Sequence, residues 1–295
     1  PHAGERDVIL GALPLFHVFA NTAVLNRTII NRGCIAMLPR FDAGQALKTL
    51  ARVKATSIPG VPTMYQALLD CPDIAKTNFT SLRACISGGA PLAAELKARF
   101  EERSGAVVIE GYGLTETAAP SHTNPPDASK QQCLGIPFMS VDARVVDPET
   151  LQELPQGESG EIVISGPQVF KGYWKRPDAT DSAFFERDGK LFFRSGDMGR
   201  IDEEGYFFMT DRLKRMINAS GFKVWPAEVE ALMFKHPAIQ EACIISTKDN
   251  YRGESVKAVV VLRASHQGKV SEQDILDWCR QTMAVYKVPR VLELD

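Results

Sequence analysis

From Asp7 to about Ala119, short apolar runs alternate with amphipathic stretches. Val8-Ile9-Leu10, Ser57-Ile58 and Arg83 to Ser87 read as strands, and Ala43 to Val53 and Thr63 to Leu69 as helices. That alternation predicts β/α units around a mainly parallel sheet. Gly88-Gly89-Ala90 breaks the Arg83 to Ser87 strand, and Pro91 suits the first turn of a helix with Leu92, Leu96 and Phe100 on one face. A further strand, Ala106 to Ile109, runs into Gly111-Tyr112-Gly113. Ligands in open α/β sheets sit at the carboxyl ends of strands, and both glycine breaks fall there.

Between Gln131 and Met209 the pattern changes to short β-rich pieces separated by Gly, Pro and Asp, at residues 141–147, 160–165, 190–197 and 205–210. These predict an antiparallel barrel or sandwich lobe. After Asp211 follows a compact α+β segment: a helix from Pro226 to His236, strands at Ala242 to Ser246 and Val256 to Leu262, and a helix from Ser271 to Ala284. Ser271 and Asp274 form a capping box for that last helix, whose apolar face is Ile275, Trp278 and Cys279. The expected organisation is an α/β lobe over residues 1–128, a β-rich lobe over 129–210 and an α+β C-terminal domain over 211–295.

Composition narrows the functional classes. The 295 residues are 44% hydrophobic and 24% charged, and 34 Lys and Arg against 36 Asp and Glu leave no field to draw nucleic acid or an anionic membrane. Small-molecule partners are expected. Cys34, Cys71, Cys85, Cys133, Cys243 and Cys279 show no CxxC pair or zinc spacing and read as buried thiols in a reducing cytosol. No apolar run approaches the roughly 18 to 20 residues that span a bilayer, so a cytoplasmic location is expected. The chain starts at Pro1 and stops at Asp295 just after the strand-like Val288 to Leu294, and neither end reads as a natural terminus.

Four motifs carry candidate chemistry. In Gly111-Tyr112-Gly113-Leu114-Thr115-Glu116-Thr117 the glycines admit close ligand approach, the ring offers a stacking face, and Thr-Glu-Thr supplies hydroxyls and a carboxylate of the kind Mg²⁺ and phosphate require. Pattern alone leaves this balanced between a nucleotide site and a glycine-rich turn with a capping Thr. Arg194-Ser195-Gly196-Asp197, followed by Thr210-Asp211-Arg212-Leu213-Lys214, pairs a carboxylate with an Arg that could hold a ribose and a phosphate; turn aspartates and surface ion pairs are the commoner explanation. Ser220-Gly221-Phe222-Lys223 suggests a tight turn ahead of a helix that opens at Pro226. In Pro14-Leu15-Phe16-His17-Val18-Phe19 the lone imidazole reads first as a packed, hydrogen-bonded residue.

In order and separation, these motifs resemble the adenylate-forming superfamily of acyl-CoA synthetases, luciferases and peptide-synthetase adenylation domains, and the resemblance runs along nearly the whole chain. It is closest to medium- or long-chain fatty acyl-CoA ligases. The resemblance implies the architecture of that superfamily without its N-terminal part, and a mobile, truncated C-terminal domain. It implies that Tyr112 stacks on adenine with Gly88, Gly89, Ala90, Glu110, Gly111 and Gly113 around it. Thr115 would contact the α-phosphate, Glu116 would bind Mg²⁺, and Asp197 and Arg212 would hold the ribose. Lys214 falls at the hinge, Phe16, His17 and Gly113 border the acyl pocket, and Ser220, Gly221 and Phe222 the path of CoA. The implied reaction joins a carboxylic acid to ATP, releasing pyrophosphate, and then passes the acyl group to CoA, releasing AMP.

Departures qualify the likeness. The family's Ser/Thr/Gly-rich phosphate loop is absent upstream of the aromatic-His motif, and its Gly-Lys pair is absent after Tyr286-Lys287-Val288-Pro289-Arg290. This chain by itself is therefore expected to form acyl-adenylate very slowly, if at all. His17-Val18 in place of an Asp disfavours an amino-acid substrate, and Gly113 in place of a Trp is expected to leave the pocket open to a longer acid. Gly60 to Tyr65 is a further candidate lining for that pocket, with ordinary core the commoner explanation for Met64 and Tyr65. A fatty acid is the expected substrate and an aryl acid the alternative; a luciferase-like oxygenase and a non-catalytic nucleotide- or acyl-binding fragment are the competing classes. Uncovered apolar surface on the first lobe is expected to promote a homodimer or repacking.

Overall fold

The computed structural model describes residues 6–249 and 253–295. The chain divides into two compact units, one of Pro1–Glu158, Ile162–Ser195 and Arg200–Phe208, the other of Ser159–Glu161, Gly196–Gly199 and Met209–Asp295.

The first unit holds a seven-stranded sheet of β1 (Val8–Gly11), β2 (Cys34–Met37), β3 (Ser57–Gly60), β4 (Ala84–Ser87), β5 (Val107–Leu114), β6 (Ala119–Thr123) and β7 (Ile136–Pro137), in the order β2-β1-β3-β4-β5-β6-β7. Its first five strands pair in parallel, and β6 and β7 join antiparallel. The sheet is mainly parallel, as the alternating pattern predicts. Helix Ala43–Val53 begins at Asp42, whose carboxylate accepts the Gln45 N–H at 2.8 Å, and ends at Lys54 in the left-handed region. Its buried Ala46, Leu47 and Leu50 join Leu10, Ile58, Tyr65, Leu68, Phe100 and Val108 in the principal core. Tyr65 is thus core rather than pocket lining. Its hydroxyl donates to the carbonyls of Ile58 and Ile86, which removes the cost of burying a phenol.

Two local expectations shift. The helix after Pro91 starts at Ala94 and runs to Ser104, so Pro91 and Leu92 lie ahead of it. Strand β5 does not end at Ile109; it continues through Gly111-Tyr112-Gly113 to Leu114 because β6 folds back and pairs with it.

The β-rich segment forms a five-stranded sheet of β8 (Asp142–Val146), β9 (Gly160–Ser165), β10 (Phe184–Arg187), β11 (Lys190–Ile201) and β12 (Phe207–Arg212), in the order β10-β11-β9-β8 with β12 also on β11. In the second unit, β13 (Ile217–Ala219), β14 (Phe222–Val224), β15 (Ile239–Asp249), β16 (Gly253–Leu262) and β17 (Val291–Leu294) form a sheet ordered β14-β13-β16-β15, with β17 parallel to β16. Helix Pro226–Met233 stops short of the expected His236. Helix Glu272–Thr282 carries the expected capping box, Ser271 and Asp274 each accepting the other's backbone N–H. Its Ile275 and Cys279 are buried with Val229, Met233 and Val260. Among the described residues no helix is long and apolar enough to cross a membrane. Cysteine burial is mixed, because Cys34 and Cys243 are exposed.

Candidate functional site

The hairpin between β5 and β6 is built around Thr117. Its hydroxyl accepts the Leu114 N–H at 2.9 Å and lies 2.8 Å from the Ala119 carbonyl, so one fully buried side chain closes the tip. Ala118 and Ala119 follow with φ of 53° and 88°, a conformation that side-chain-bearing residues adopt at a cost. The Thr22 hydroxyl donates to the Ala118 carbonyl at 2.9 Å. Thr115 is exposed on this tip and Glu116 half-buried. The reading of Thr117 as a capping residue and that of Glu116 as a ligand-facing carboxylate are therefore compatible.

Glu116 is gripped twice. Its main-chain carbonyl accepts the Phe170 N–H at 2.8 Å, and its carboxylate Oε1 accepts the Tyr173 hydroxyl at 2.8 Å. Partial burial and the adjoining carboxylate push the Tyr173 phenol up to about 12, so it remains a donor through neutral pH. Among the described residues no cluster of three or more His, Cys, Asp and Glu could hold a metal ion. The single carboxylate of Glu116 fits an ion whose other ligands are phosphate oxygens and water, the usual arrangement of Mg²⁺ with a nucleotide.

Tyr112 is half-buried on β5, with His122 opposite it on β6 and the ring centroids 5.5 Å apart. On its other side His122 meets Phe207 edge-on at 4.6 Å. His122 is fully buried; its Nδ1 lies 2.9 Å from Ser121 Oγ, its Nε2 has no partner among the described residues, and burial pushes the imidazolium down to about 3. The ring is neutral. Two residues before Tyr112 on β5, Glu110 is buried against Lys97 at 3.7 Å. Burial raises the Glu110 carboxyl while Lys97 opposes that rise.

Gly113 has a steric explanation that the sequence concealed. A Cβ there would sit 1.7 Å from the Ala119 carbonyl oxygen, so the β5–β6 pairing itself requires glycine. A glycine here thus has a backbone reason of its own, beside the open pocket expected of it. Gly88 is buried, with Phe19 3.3 Å from where a Cβ would be, whereas Gly89 (φ 81°) and Ala90 are exposed at the end of β4. Phe16 is 93% exposed, and His17 is exposed too, its Nδ1 accepting the Phe19 N–H as a helix cap. The expectation of a packed imidazole at His17 is corrected; the imidazole that packs is His122.

In the second unit, Asp197 is buried and pairs with Arg212 Nε at 3.2 Å, while Arg212 stays exposed. Asp211 Oδ1 accepts the Arg212 N–H at 2.7 Å and its Oδ2 the Ala227 N–H at 2.8 Å, which ties the segment to the start of helix Pro226–Met233. Lys214 lies exposed on the Leu213–Arg215 turn. Ser220 (φ 57°) and Gly221 (φ 85°) form the tight turn between β13 and β14, closed by the Gly221 N–H on Asn218 Oδ1 at 2.9 Å. Phe222 is exposed and stacks on Tyr286 at 4.9 Å. A cavity of about 370 Å³ lined by Gln156, Gly157, Arg200, Asp202, Glu203 and Glu204 includes none of the expected site residues, and its acidic wall is unsuited to phosphate.

Tyr173, His122 and Lys97 are the residues that sequence reasoning did not single out. Each acts through a contact distant in sequence or through burial, and no short motif announces it.

The family model described as AMP-binding enzyme matches residues 1–174, and that of the AMP-binding enzyme C-terminal domain matches residues 228–294. A long-chain-fatty-acid–CoA ligase of Bacillus subtilis is 41% identical over 97% of this chain and 50% of its own length. A feruloyl-CoA synthase of Amycolatopsis is 39% identical over 98% of this chain and 57% of its own length. Among solved structures, ATP-bound MatB from Rhodopseudomonas palustris superposes with a TM-score of 0.84 at 38% identity, covering 98% of this chain and 56% of that one. The chain spans about half the length of the curated relatives it matches.

Proposed function

The chain belongs to the AMP-binding enzyme family, and from that premise we propose that it is part of an ATP-dependent acid–CoA ligase acting on a fatty acid. The reaction joins the acid carboxylate to the α-phosphorus of ATP, releasing pyrophosphate; the CoA thiol then attacks the acyl carbon and AMP leaves. The observation that carries this reading is the β5–β6 hairpin, whose tip holds the Glu116 carboxylate, with Thr115 exposed beside it, beyond the end of the parallel sheet. That is where ligands gather in such sheets.

On this reading Tyr112 offers its face to adenine, beside Gly88, Gly89, Ala90, Glu110, Gly111 and Gly113. Buried Asp197, with Arg212, takes the ribose hydroxyls. Thr115 donates to the α-phosphate. Glu116 holds Mg²⁺, which neutralises charge on the phosphates when it is bound. Lys214 lies at the hinge, and the open turn at Ser220, Gly221 and Phe222 borders the CoA path. The polar groups position the reactants and stabilise the negative charge that builds as pyrophosphate leaves. The ATP-bound structural relative supports the nucleotide assignment. The cytoplasmic location and a second copy of the chain stay part of the proposal; Phe16 and Ile30, 93% and 78% exposed, are apolar side chains such a copy would cover.

The fatty acid is favoured by the ligase of Bacillus subtilis, and the feruloyl-CoA synthase keeps an aryl acid as the second reading. The test is acid- and CoA-dependent release of AMP by the full-length protein, with thioester identified by mass. Palmitate turned over faster than ferulate supports the first reading, and the reverse supports the second. AMP release independent of any acid would sink both.

A further inference from the structure

Tyr173 lies in a loop between β9 and β10 that is not part of the nucleotide motifs, yet it closes on one of them. Its ring packs edge-on against Phe170 at 4.8 Å, and Phe170 in turn meets Phe184 and Phe193, each at 5.5 Å. Its N–H donates to Thr180 Oγ1 at 2.9 Å. The phenol is therefore placed by an aromatic cluster and a backbone tie before any ligand arrives. From there it donates to Glu116 Oε1, while Phe170, three residues earlier, holds the Glu116 main-chain carbonyl. One short loop fixes both the backbone and the carboxylate of the same residue.

We propose that Tyr173 is a positioning residue that orients the Glu116 carboxylate toward a nucleotide-borne divalent cation, an inference that rests on the reading of Glu116 as the cation's protein ligand. Mg²⁺ demands near-octahedral geometry and loses water reluctantly, so a lone carboxylate swinging freely about its side-chain torsions would present the wrong oxygen direction most of the time. A hydrogen bond on Oε1 fixes the carboxylate plane and leaves Oε2 to the ion. Groups in this relation to a metal ligand change metal affinity roughly 10- to 100-fold when removed; because Tyr173 is 39% exposed, the lower end is expected here.

The test compares wild type, Tyr173→Phe, Glu116→Gln and the double variant in the full-length protein. Mn²⁺ binding in the presence of ATP is measured by electron paramagnetic resonance, and AMP binding in EDTA by calorimetry. Tyr173→Phe keeps the ring and its packing. It is expected to weaken the metal-dependent binding about tenfold, to leave AMP affinity unchanged, and to add nothing to the loss in Glu116→Gln. Equal losses for Mn²⁺ and AMP would mark Tyr173 as merely structural and overturn the proposal. A normal Mn²⁺ affinity in Tyr173→Phe beside a weakened Glu116→Gln would overturn it alone and leave Glu116 in place. Unchanged Mn²⁺ affinity in Glu116→Gln would remove the metal assignment, and the role of Tyr173 with it.

Discussion

Lowering the pH from 7 to 5 should destabilise the first unit through His122. In the folded chain this imidazole is fully buried between Tyr112 and Phe207, with Ser121 Oγ on Nδ1 and no partner for Nε2 among the described residues, and burial pushes it from 6.5 to about 3. In the unfolded chain it titrates at its ordinary value. Between those two values the unfolded state binds a proton that the folded state refuses, so stability rises with pH across the window and falls as the solution is acidified. At about 1.36 kcal/mol per pH unit below 6.5, the step from pH 7 to pH 5 costs about 2 kcal/mol. The assay is urea unfolding of wild type and His122→Gln at both pH values. Other titrating groups are common to both proteins, so they cancel in the difference. Wild type should lose about 2 kcal/mol more than the variant. Equal losses, or an imidazole that titrates near 6.5 by nuclear magnetic resonance, would show that burial does not hold this ring neutral.

Three further outcomes follow from the same geometry. Lys97→Met leaves the Glu110 carboxyl buried without its counter-charge and should cost about 3–5 kcal/mol in urea unfolding, most of it recovered in Lys97→Met/Glu110→Gln, where the charge is gone as well. Gly113→Ala puts a methyl 1.7 Å from the Ala119 carbonyl oxygen and should lower stability by about 3 kcal/mol, read as a fall in thermal midpoint; an unchanged midpoint would mean that β5 and β6 do not approach as described. Asp211→Ala removes the acceptor of the Ala227 N–H and should cost the second unit about 1–2 kcal/mol, detected as faster amide exchange in helix Pro226–Met233.

What the sequence disclosed and what it concealed divide by range of interaction. Helix Ala43–Val53 is legible because its apolar residues repeat at helical spacing within a dozen positions, and Asp42 at its start is a capping residue type. The capping box at Ser271 is legible for the same reason. Strand β5 was expected to stop at its glycines because glycine is a local breaker; the pairing with β6 that carries it through Gly113 comes from the returning chain. Tyr173 and Glu116 are 57 positions apart, and a Gly-Tyr-Trp run in a loop has no periodicity to mark it. Lys97 sits on a helix whose sequence marks only Leu96 and Phe100 as its inward face, and the fold turns Lys97 inward as well, against Glu110.

The hairpin tip accounts for why residue types with no chemistry of their own matter at this site. Left-handed Ala118 and its neighbour Ala119 each cost about 1–2 kcal/mol relative to relaxed backbone. Such a conformation persists only where other contacts determine it, and here Thr117 bonds the chain on both sides of the turn, Thr22 holds the Ala118 carbonyl and Phe170 holds that of Glu116. These ties come from three separate stretches of sequence. Their common effect is that the backbone of the tip and, through Tyr173, the Glu116 carboxylate are held by several contacts, so a phosphate-borne cation would meet that carboxylate already in place. Prior ordering lowers the entropy lost on binding and leaves the groups oriented for charge that appears during reaction. Gly113, which admits the close approach of β6, belongs to the same device.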